Sequence, residues 1–329
     1  MRADRGTADV VLLSMTEPEG DCCGSGGCGT GGGAGHGEGH SGAPRPRVPV
    51  LHCADALRAA GARVETVVAC SDAEIDQVLS RLDGPAREDG LTWPDADGGT
   101  RLVIAVTDDG QLRHVLRRLV RRYAPAPSKR PADLPAGRTV PDLPPIAVLP
   151  IDAAAADLAA QLGLPREPAE VAAAVLGDRS RRLDLLRHDG GSVTLDGVLL
   201  AGSTEDGQPV QWAGRVEVDD AVLTDGAEPL LAVAVANASG ATLLDGLPLL
   251  TSADPADGVI DVAVAVPVRH KPLFGTPRLR IEVRRARGRA VSVTPRDTEV
   301  PFADDGVSGG LTRKRSWWVE PAAWAVYTR

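Results

Sequence analysis

The strongest constraint on the fold is a regular alternation of short apolar runs and helical segments in the first half of the chain. The apolar runs are rich in valine and bounded by glycine and charged residues, which is typical of buried strands. Strands that alternate with helices predict βαβ units, and therefore a mostly parallel sheet with helices on its faces. The predicted strands are 8–13, 63–69, 101–106 and 146–149, and the predicted helices are 50–60, 72–82, 112–122 and 154–162.

The pattern changes after one more short predicted helix, at 168–176. From there, β-type segments follow one another with turns rich in glycine, aspartate and proline, and with no long helix between them. This pattern predicts an all-β, sandwich-like domain. Its predicted strands are 192–200, 211–218, 230–236, 259–266, 279–283 and 290–294.

The length of the chain sets the number of domains. A chain of 329 residues exceeds what one hydrophobic core usually supports, so we expect two domains. We place an α/β domain of nucleotide-binding type at 1–165 and the β-rich domain at 166–315. The remaining segment, 316–329, holds three of the five tryptophans, and we expect it to pack back on the first domain.

Charge and cysteine content limit the partners and the compartment. A net charge of −9 argues against a nucleic-acid partner, which normally requires clustered lysine and arginine, although local basic patches stay open. The apolar run at 10–13 is too short for a signal-peptide core or a membrane span. Five cysteines, an odd number, favour a reducing compartment over a disulfide framework. We therefore expect a cytoplasmic protein, of unknown oligomeric state.

A glycine-dominated insert at 21–42 has too little apolar content to pack, and we expect it to be flexible. Its thiol and imidazole groups are of the kind that bind Zn²⁺ or Cu⁺, but it has no Cys-x-x-Cys pair, so a solvated linker is the alternative. Outside the insert, Cys53 and Cys70 are predicted to be buried small hydrophobes. The groups in the insert are Cys22, Cys23, Cys28, His36 and His40.

Two turns stand where a parallel sheet usually binds its ligand, beyond the carboxyl ends of strands and before helix N-termini. The first is Thr-Asp-Asp-Gly-Gln at 107–111, and the second is Pro-Ile-Asp-Ala-Ala-Ala-Ala-Asp-Leu-Ala at 150–159. With their surroundings, these turns resemble the diacylglycerol kinase catalytic family, which also includes sphingosine and ceramide kinases and is distantly related to NAD kinases. The similarity runs in register over nearly the whole chain.

The matching positions keep only part of the family's motifs. The family's Gly-Gly-Asp-Gly-Thr turn falls on 107–111, where Asp109 and Gly110 match. Its Pro-Leu-Gly-Thr-x-Asn-Asp turn falls on the second stretch, where the Gly, Thr and Asn are missing. Other segments that resemble the family are Arg182-Leu183-Asp184-Leu185, Ala236-Asn237, Asp257-Gly258-Val259-Ile260-Asp261 and Asp305-Gly306-Val307, the last standing where the family has Asp-Gly-Glu.

The resemblance implies a transferase, a lipid kinase that uses ATP and Mg²⁺ to phosphorylate the hydroxyl of a lipid or lipid-like small molecule. It implies catalytic roles for Asp109 and Asp305 and a divalent cation near Asp257; for each, ordinary turn chemistry is the alternative. Membrane contact is expected to be peripheral at most, because no anchor or basic amphipathic helix is present. The ATP-binding positions that it implies are Thr107, Asp108, Asp109, Gly110, Gln111 and Asp152.

The substitutions in the first turn bear directly on nucleotide binding. Thr107 and Asp108 replace glycines whose bare backbone lets amides approach a phosphate closely. A carboxylate about 4 Å from a phosphate costs on the order of 1 kcal/mol in water and about 4 kcal/mol at an effective dielectric near 20. Millimolar affinity is worth only about 4 kcal/mol, although a bridging Mg²⁺ would reverse the sign. The alternatives are therefore a lipid kinase with degenerate motifs and an inactive pseudokinase that binds a ligand or a partner.

Overall fold

The computed structural model of the chain describes residues 7–16, 46–95, 99–177, 179–203, 209–238, 243–244, 247–250, 253–270, 278–296 and 299–329. No helix among these residues is long and apolar enough to cross a membrane. The cytoplasmic location stays a prediction.

The first part of the chain alternates strands and helices, as the sequence predicts. Its elements are β1 (Asp9–Met15), α1 (Val48–Ala59), β2 (Arg63–Ala69), α2 (Asp72–Leu79), β3 (Thr100–Val106), α3 (Asp109–Tyr123), β4 (Pro145–Pro150), α4 (Leu158–Gln161) and α5 (Pro168–Leu176). Short 3-10 turns follow α2 and α3, at Ser80–Leu82 and Pro127–Lys129.

The four strands form a parallel sheet in the order β2, β1, β3, β4. Side chains of a strand point alternately to its two faces, and both faces of this sheet are covered. Val10 and Leu12 of β1 pack in a core with α1 and α5, whereas Val11 and Leu13 pack with α2 and α3. The nearly continuous apolar runs of the sequence thus correspond to strands buried on both sides.

The second part of the chain is built of β-strands. They are β5 (Ser180–His188), β6 (Val193–Thr194), β7 (Gly197–Ser203), β8 (Pro209–Val210), β9 (Trp212–Val218), β10 (Ala221–Leu230), β11 (Ala232–Ala236), β12 (Leu243–Leu244), β13 (Leu247–Pro248), β14 (Ile260–His270), β15 (Arg278–Gly288), β16 (Ala290–Arg296), β17 (Val300–Asp304), β18 (Val307–Leu311) and β19 (Arg315–Tyr327).

Two sheets face each other in this part and enclose an apolar core. One sheet has the order β15, β14, β11, β7, β17, β18, and the other contains β10, β9, β16 and β19. The core between them joins valines of both sheets to Trp317 of β19, which is 1% exposed. The fold class is therefore as predicted: an α/β part with a mostly parallel sheet, followed by an all-β sandwich.

The long strand β19 connects the two parts. It pairs antiparallel with β16 and β5. Near its C-terminal end it also pairs in parallel with β4, through Ala325–Pro145 and Val326–Ile146. The parallel sheet therefore continues into one sheet of the sandwich, a continuity that the sequence pattern did not predict. The helix α5 contacts α1 and β4. The domain limits at 165 and 315 stay a prediction.

The predicted helix at 154–162 and the predicted strand at 192–200 differ from the structure. The helix predicted at 154–162 forms only over α4, because the Asp152 carboxylate accepts a hydrogen bond from Ala154 N (2.9 Å) and holds a turn there. Asp157 then caps the short helix through Ala160 N (2.9 Å). The strand predicted at 192–200 is split into β6 and β7, because the amides of the intervening turn donate to a carboxylate of another strand pair, described below.

Candidate functional site

A cleft of about 420 Å³ lies at the carboxyl edge of the parallel sheet. The strand order reverses between β1 and β3: β1 leads to β2 on one side, and β3 leads to β4 on the other. Such a switch point is where open α/β sheets bind ligands, and the volume lies within the range of small-molecule sites. Its lining includes Thr16, Cys70, Asp72, Asp108, His114 and, from the β-sandwich, Val307.

The turn at 107–111 is closed by its own side chains. Asp108 is the N-cap of α3, and its Oδ1 accepts from Gln111 N (2.9 Å). The Gln111 amide oxygen accepts in return from Thr107 N (3.0 Å), and the Thr107 hydroxyl donates to Asp108 Oδ2 (3.0 Å). This arrangement resembles a capping box, except that the Gln111 side chain bonds the amide of Thr107, one residue before the N-cap. Two backbone amides of this turn, those of Thr107 and Gln111, are thus already bonded.

Gly110 packs against the second part of the chain. A Cβ at this position would lie 3.0 Å from Val307 Cγ2 and 3.0 Å from Asp108 Oδ1, both tighter than ordinary contacts. The retained glycine therefore serves the close approach of α3 to the β17–β18 turn. This packing accounts for the residue without any bound phosphate.

Asp109 points towards the second predicted turn. Its carboxylate accepts from Leu158 N, at 3.0 and 3.1 Å, at the start of α4. Burial raises the pKa of Asp109, and the charges of Asp157 and Asp108 raise it further. A partly buried carboxyl with a raised pKa has the character of a general base, but here it is bonded to backbone.

A further carboxyl, Asp196, lies in the turn between β6 and β7 and interacts with Asp109. Burial, followed by the charge of Asp109, raises the pKa of Asp196 to about 6. Its Oδ1 is buried and has no hydrogen-bond partner within the described part of the chain. This residue could not be predicted from the sequence, because a single aspartate in a turn of a β-rich segment carries no distinguishing pattern.

Asp305 lies in the turn between β17 and β18, with a φ of 49° in the left-handed region. Its carboxylate accepts from three consecutive amides, Leu195 N (2.7 Å), Asp196 N (2.8 Å) and Gly197 N (3.2 Å). Burial and the neighbouring charge of Asp304 raise the pKa of Asp305 well above its ordinary value. These bonds tie the β17–β18 turn to the β6–β7 turn, which explains why the predicted strand at 192–200 is interrupted.

The neighbouring Asp304 is also committed to contacts within the protein. It accepts from the Arg113 guanidinium of α3 (2.6 Å) and from the Thr194 hydroxyl (2.8 Å). Burial raises its pKa to about 6, against the opposing effect of Arg113. The two adjacent carboxyls therefore join α3 to the β-sandwich.

The Asp257 carboxylate forms an ion pair with Arg287 and accepts from Val259 N (3.1 Å). Among the described residues, no group of three or more His, Cys, Asp or Glu side chains has metal-binding geometry. The metal role of Asp257 stays a prediction, and the guanidinium at its carboxylate opposes a cation there. Asp152 is bonded to its own turn, and its ATP-binding role also stays a prediction.

His114 lies on α3, with Nε2 2.8 Å from Asp72 Oδ1 at the cleft. Cys53 is buried in the core, as predicted, whereas the prediction for Cys70 was wrong: it is exposed, because it follows β2 at the sheet edge. The insert residues Cys22, Cys23, Cys28, His36 and His40 lie outside the described residues.

The electrostatics of the cleft are unfavourable for phosphate. Asp72 and Asp108 line it, and no lysine or arginine is among the described residues of its lining. Arg118 of α3, which pairs with the lining residue Asp72, is also paired with Asp76. The residues present therefore do not fit ATP, since its phosphates would meet carboxylates and amides that are already bonded.

The comparisons with known proteins concern the whole chain. No family model matches it, and no curated protein does. A diacylglycerol kinase structure from Bacillus anthracis str. Sterne is 14% identical, with 98% of each chain covered and a TM-score of 0.59. Two further structures are of a candidate diacylglycerol kinase from the same organism. The first is 14% identical, with 98% of each chain covered and a TM-score of 0.60. The second is 12% identical, with 100% of this chain and 99% of the other covered and a TM-score of 0.59. The catalytic and binding roles of individual residues stay predictions. The architecture is confirmed: the chain has the fold of the diacylglycerol kinases, as its motifs predicted.

Proposed function

We propose that the chain is a pseudokinase: a catalytically inactive, ligand-binding protein built on the diacylglycerol kinase fold. The observation that carries this proposal is the closed turn at 107–111. Its Asp108 carboxylate and Gln111 side chain occupy the amides at the start of α3, where the related turn of a kinase would hold phosphate. The cleft itself persists, with apolar walls from Met15, Ile75 and Val307. It suits a small neutral or cationic ligand rather than a nucleotide.

The alternative is an active lipid kinase that uses ATP and Mg²⁺. One observation favours it: Asp109 stands at the family's aspartate position and has a raised pKa, as a general base should. Against it stand the hydrogen bonds of that carboxylate to Leu158 N and the acidic lining of the cleft.

Isothermal titration of MgATP and MgADP into the wild type and into Asp109→Ala separates the two. We expect no saturable binding to either protein at millimolar nucleotide. Micromolar binding that the substitution abolishes, together with transfer of the γ-phosphate to a diacylglycerol, would establish the kinase and overturn the pseudokinase proposal.

A double variant tests the physical cause. Thr107→Gly with Asp108→Gly restores the glycines and removes the carboxylate, so we expect nucleotide affinity to increase by at least tenfold. The matched control is Asp254→Gly, which removes a carboxylate that bonds its own turn at Ala256 N (3.0 Å), away from the cleft. An equal effect of both changes would show that the turn is not what excludes the nucleotide.

A further inference from the structure

The hairpin of β14 and β15 extends beyond the strands beside it. β14 pairs with β15 without interruption from Ile260–Gly288 to His270–Arg278. Its other neighbour, β11, pairs with it only over Asp261–Ala265. Residues 266–270 and 278–282 therefore continue as a two-stranded extension, five residues long on each arm and about 17 Å in length. We name this extension the basic ribbon.

The charge of this region is opposite to that of the chain as a whole. Between positions 268 and 289 the sequence has eight lysines and arginines and a single acidic residue, Glu282, in a protein of net charge −9. At the base of the hairpin these cations are used internally: Arg284 pairs with Glu228 and Glu282, and Arg287 with Asp257 and Asp261. Arg285 donates to the Leu249 carbonyl (2.7 Å).

Towards the far end of the ribbon the sequence has basic residues and no acidic ones. Arg280 is exposed, and the register places Arg269 opposite Leu279 and Arg278 opposite His270. No acidic residue occurs on either arm beyond Glu282. The far end is therefore a concentration of positive charge in an acidic protein, and it is electrostatically complementary to an anionic surface.

Exposed apolar side chains accompany these cations on both faces of the ribbon. Val268 is 37% exposed and is paired in register with Arg280, whereas Ile281 is 39% exposed and paired with Pro267. Adjacent pairs alternate between the two faces, so each face combines an apolar residue with basic positions. A nucleic acid would interact with the charge alone, through its phosphodiester groups. A lipid bilayer would also be stabilised against the ribbon by burial of the valine and isoleucine side chains.

We propose that the basic ribbon docks this protein on an anionic lipid surface. Each lysine or arginine near such a surface contributes about 1 kcal/mol, and this falls off with salt. Several cations with two apolar contacts give a reversible, peripheral attachment rather than a stable anchor. This docking does not depend on what the cleft binds, because none of the described lining residues of the cleft belongs to the ribbon.

The test is sedimentation of the full-length protein with phosphatidylcholine vesicles that contain or lack phosphatidylglycerol. We expect binding only with the anionic lipid and release at high salt. Arg280→Glu should weaken binding by about 30-fold, since it changes the charge at the surface by two units. The matched control is Arg313→Glu, the same charge change at an exposed arginine between β18 and β19. Equal losses in the two variants would overturn the role of the ribbon.

The apolar contribution needs its own pair of variants. Ile281→Ser should weaken vesicle binding at constant charge, whereas Val222→Ser, at a residue of β10 that is 50% exposed, should not. Thermal melts should match the wild type, because all of these side chains are exposed. Binding that ignores lipid charge, or tight binding of a DNA oligonucleotide that Arg280→Glu abolishes while vesicles are not bound, would contradict the proposal.

Discussion

At the scale of single residues, the carboxyl group of Asp196 links the candidate site to stability. Its folded-state pKa of about 6 lies above the ordinary value of 3.8, because burial and the charge of Asp109 disfavour the anion. A raised folded pKa means that the folded state holds the proton more tightly than the unfolded state does. The stabilisation from that proton is complete below the unfolded pKa and is lost as the pH rises through about 6.

We therefore predict that Asp196→Asn stabilises the protein at neutral pH. The substitution removes a buried charge that costs up to about 3 kcal/mol once ionised, so the melting temperature should rise at neutral pH and change little at pH about 4. Asp220→Asn, in the exposed turn between β9 and β10, is the control. A melting temperature that responds equally to both substitutions would show that burial of Asp196 is not responsible.

At the scale of elements, the loop between β4 and α4 shows why an alanine-rich segment is not a helix. Arg166 lies against it and donates to the carbonyls of Ala153 (2.7 Å) and Ala155 (2.6 Å), and it pairs with Asp157. A guanidinium has several donors in a fixed geometry, so one side chain can hold several turns of irregular backbone. The loop conformation thus depends on a residue that follows it in the chain.

We predict that Arg166→Ala loosens this loop without unfolding the protein. Amide exchange over 153–157 should accelerate, because hydrogen bonds to a charged donor contribute about 1.5–3 kcal/mol each and these are lost locally. Arg181→Ala is a suitable comparison, since its Nη2 makes one bond, to the Leu162 carbonyl (2.9 Å), at an exposed position. Unchanged exchange in Arg166→Ala would mean that the loop is held by its own turn chemistry.

At the scale of the whole molecule, the last strand makes one structure of the two parts. Trp324 of β19 is 1% exposed and packs in the core that contains α2 and α3. Its indole nitrogen donates to the Asp184 carbonyl of β5 (2.8 Å). Glu320 of the same strand is fully buried and accepts from Thr139 N (2.6 Å), which holds the segment before β4.

We predict that the two parts unfold together and that Trp324→Ala destabilises both. Loss of a fully buried tryptophan should lower the free energy of unfolding by about 3–5 kcal/mol. Denaturant transitions followed by far-ultraviolet circular dichroism and by tryptophan fluorescence should stay superimposed and shift together. Trp93→Ala, at a half-buried residue outside that core, should shift them far less. Two separate transitions would show that the shared strand does not couple the parts.

Periodicity and turn composition were enough to predict most elements of the α/β part. The strand at 63–69 and the helix at 168–176 begin and end where predicted, because apolar spacing and flanking turn residues act locally. The carboxyl edge of the sheet was predicted as the site for the same reason, since the motifs at 107–111 and 150–159 follow strands.

Only the tertiary structure decided how the site is arranged and how the parts are joined. The bond from Leu158 N to Asp109 and the proximity of Asp196 to Asp109 depend on residues that are distant in sequence. The same holds for β19, whose partners lie in three different strands and whose pairing makes the sheets continuous. The local hydrophobic pattern of the sequence specifies which residues form a helix or a strand. Hydrogen bonds and burial between distant segments specify which side chains come into contact and which charge they carry.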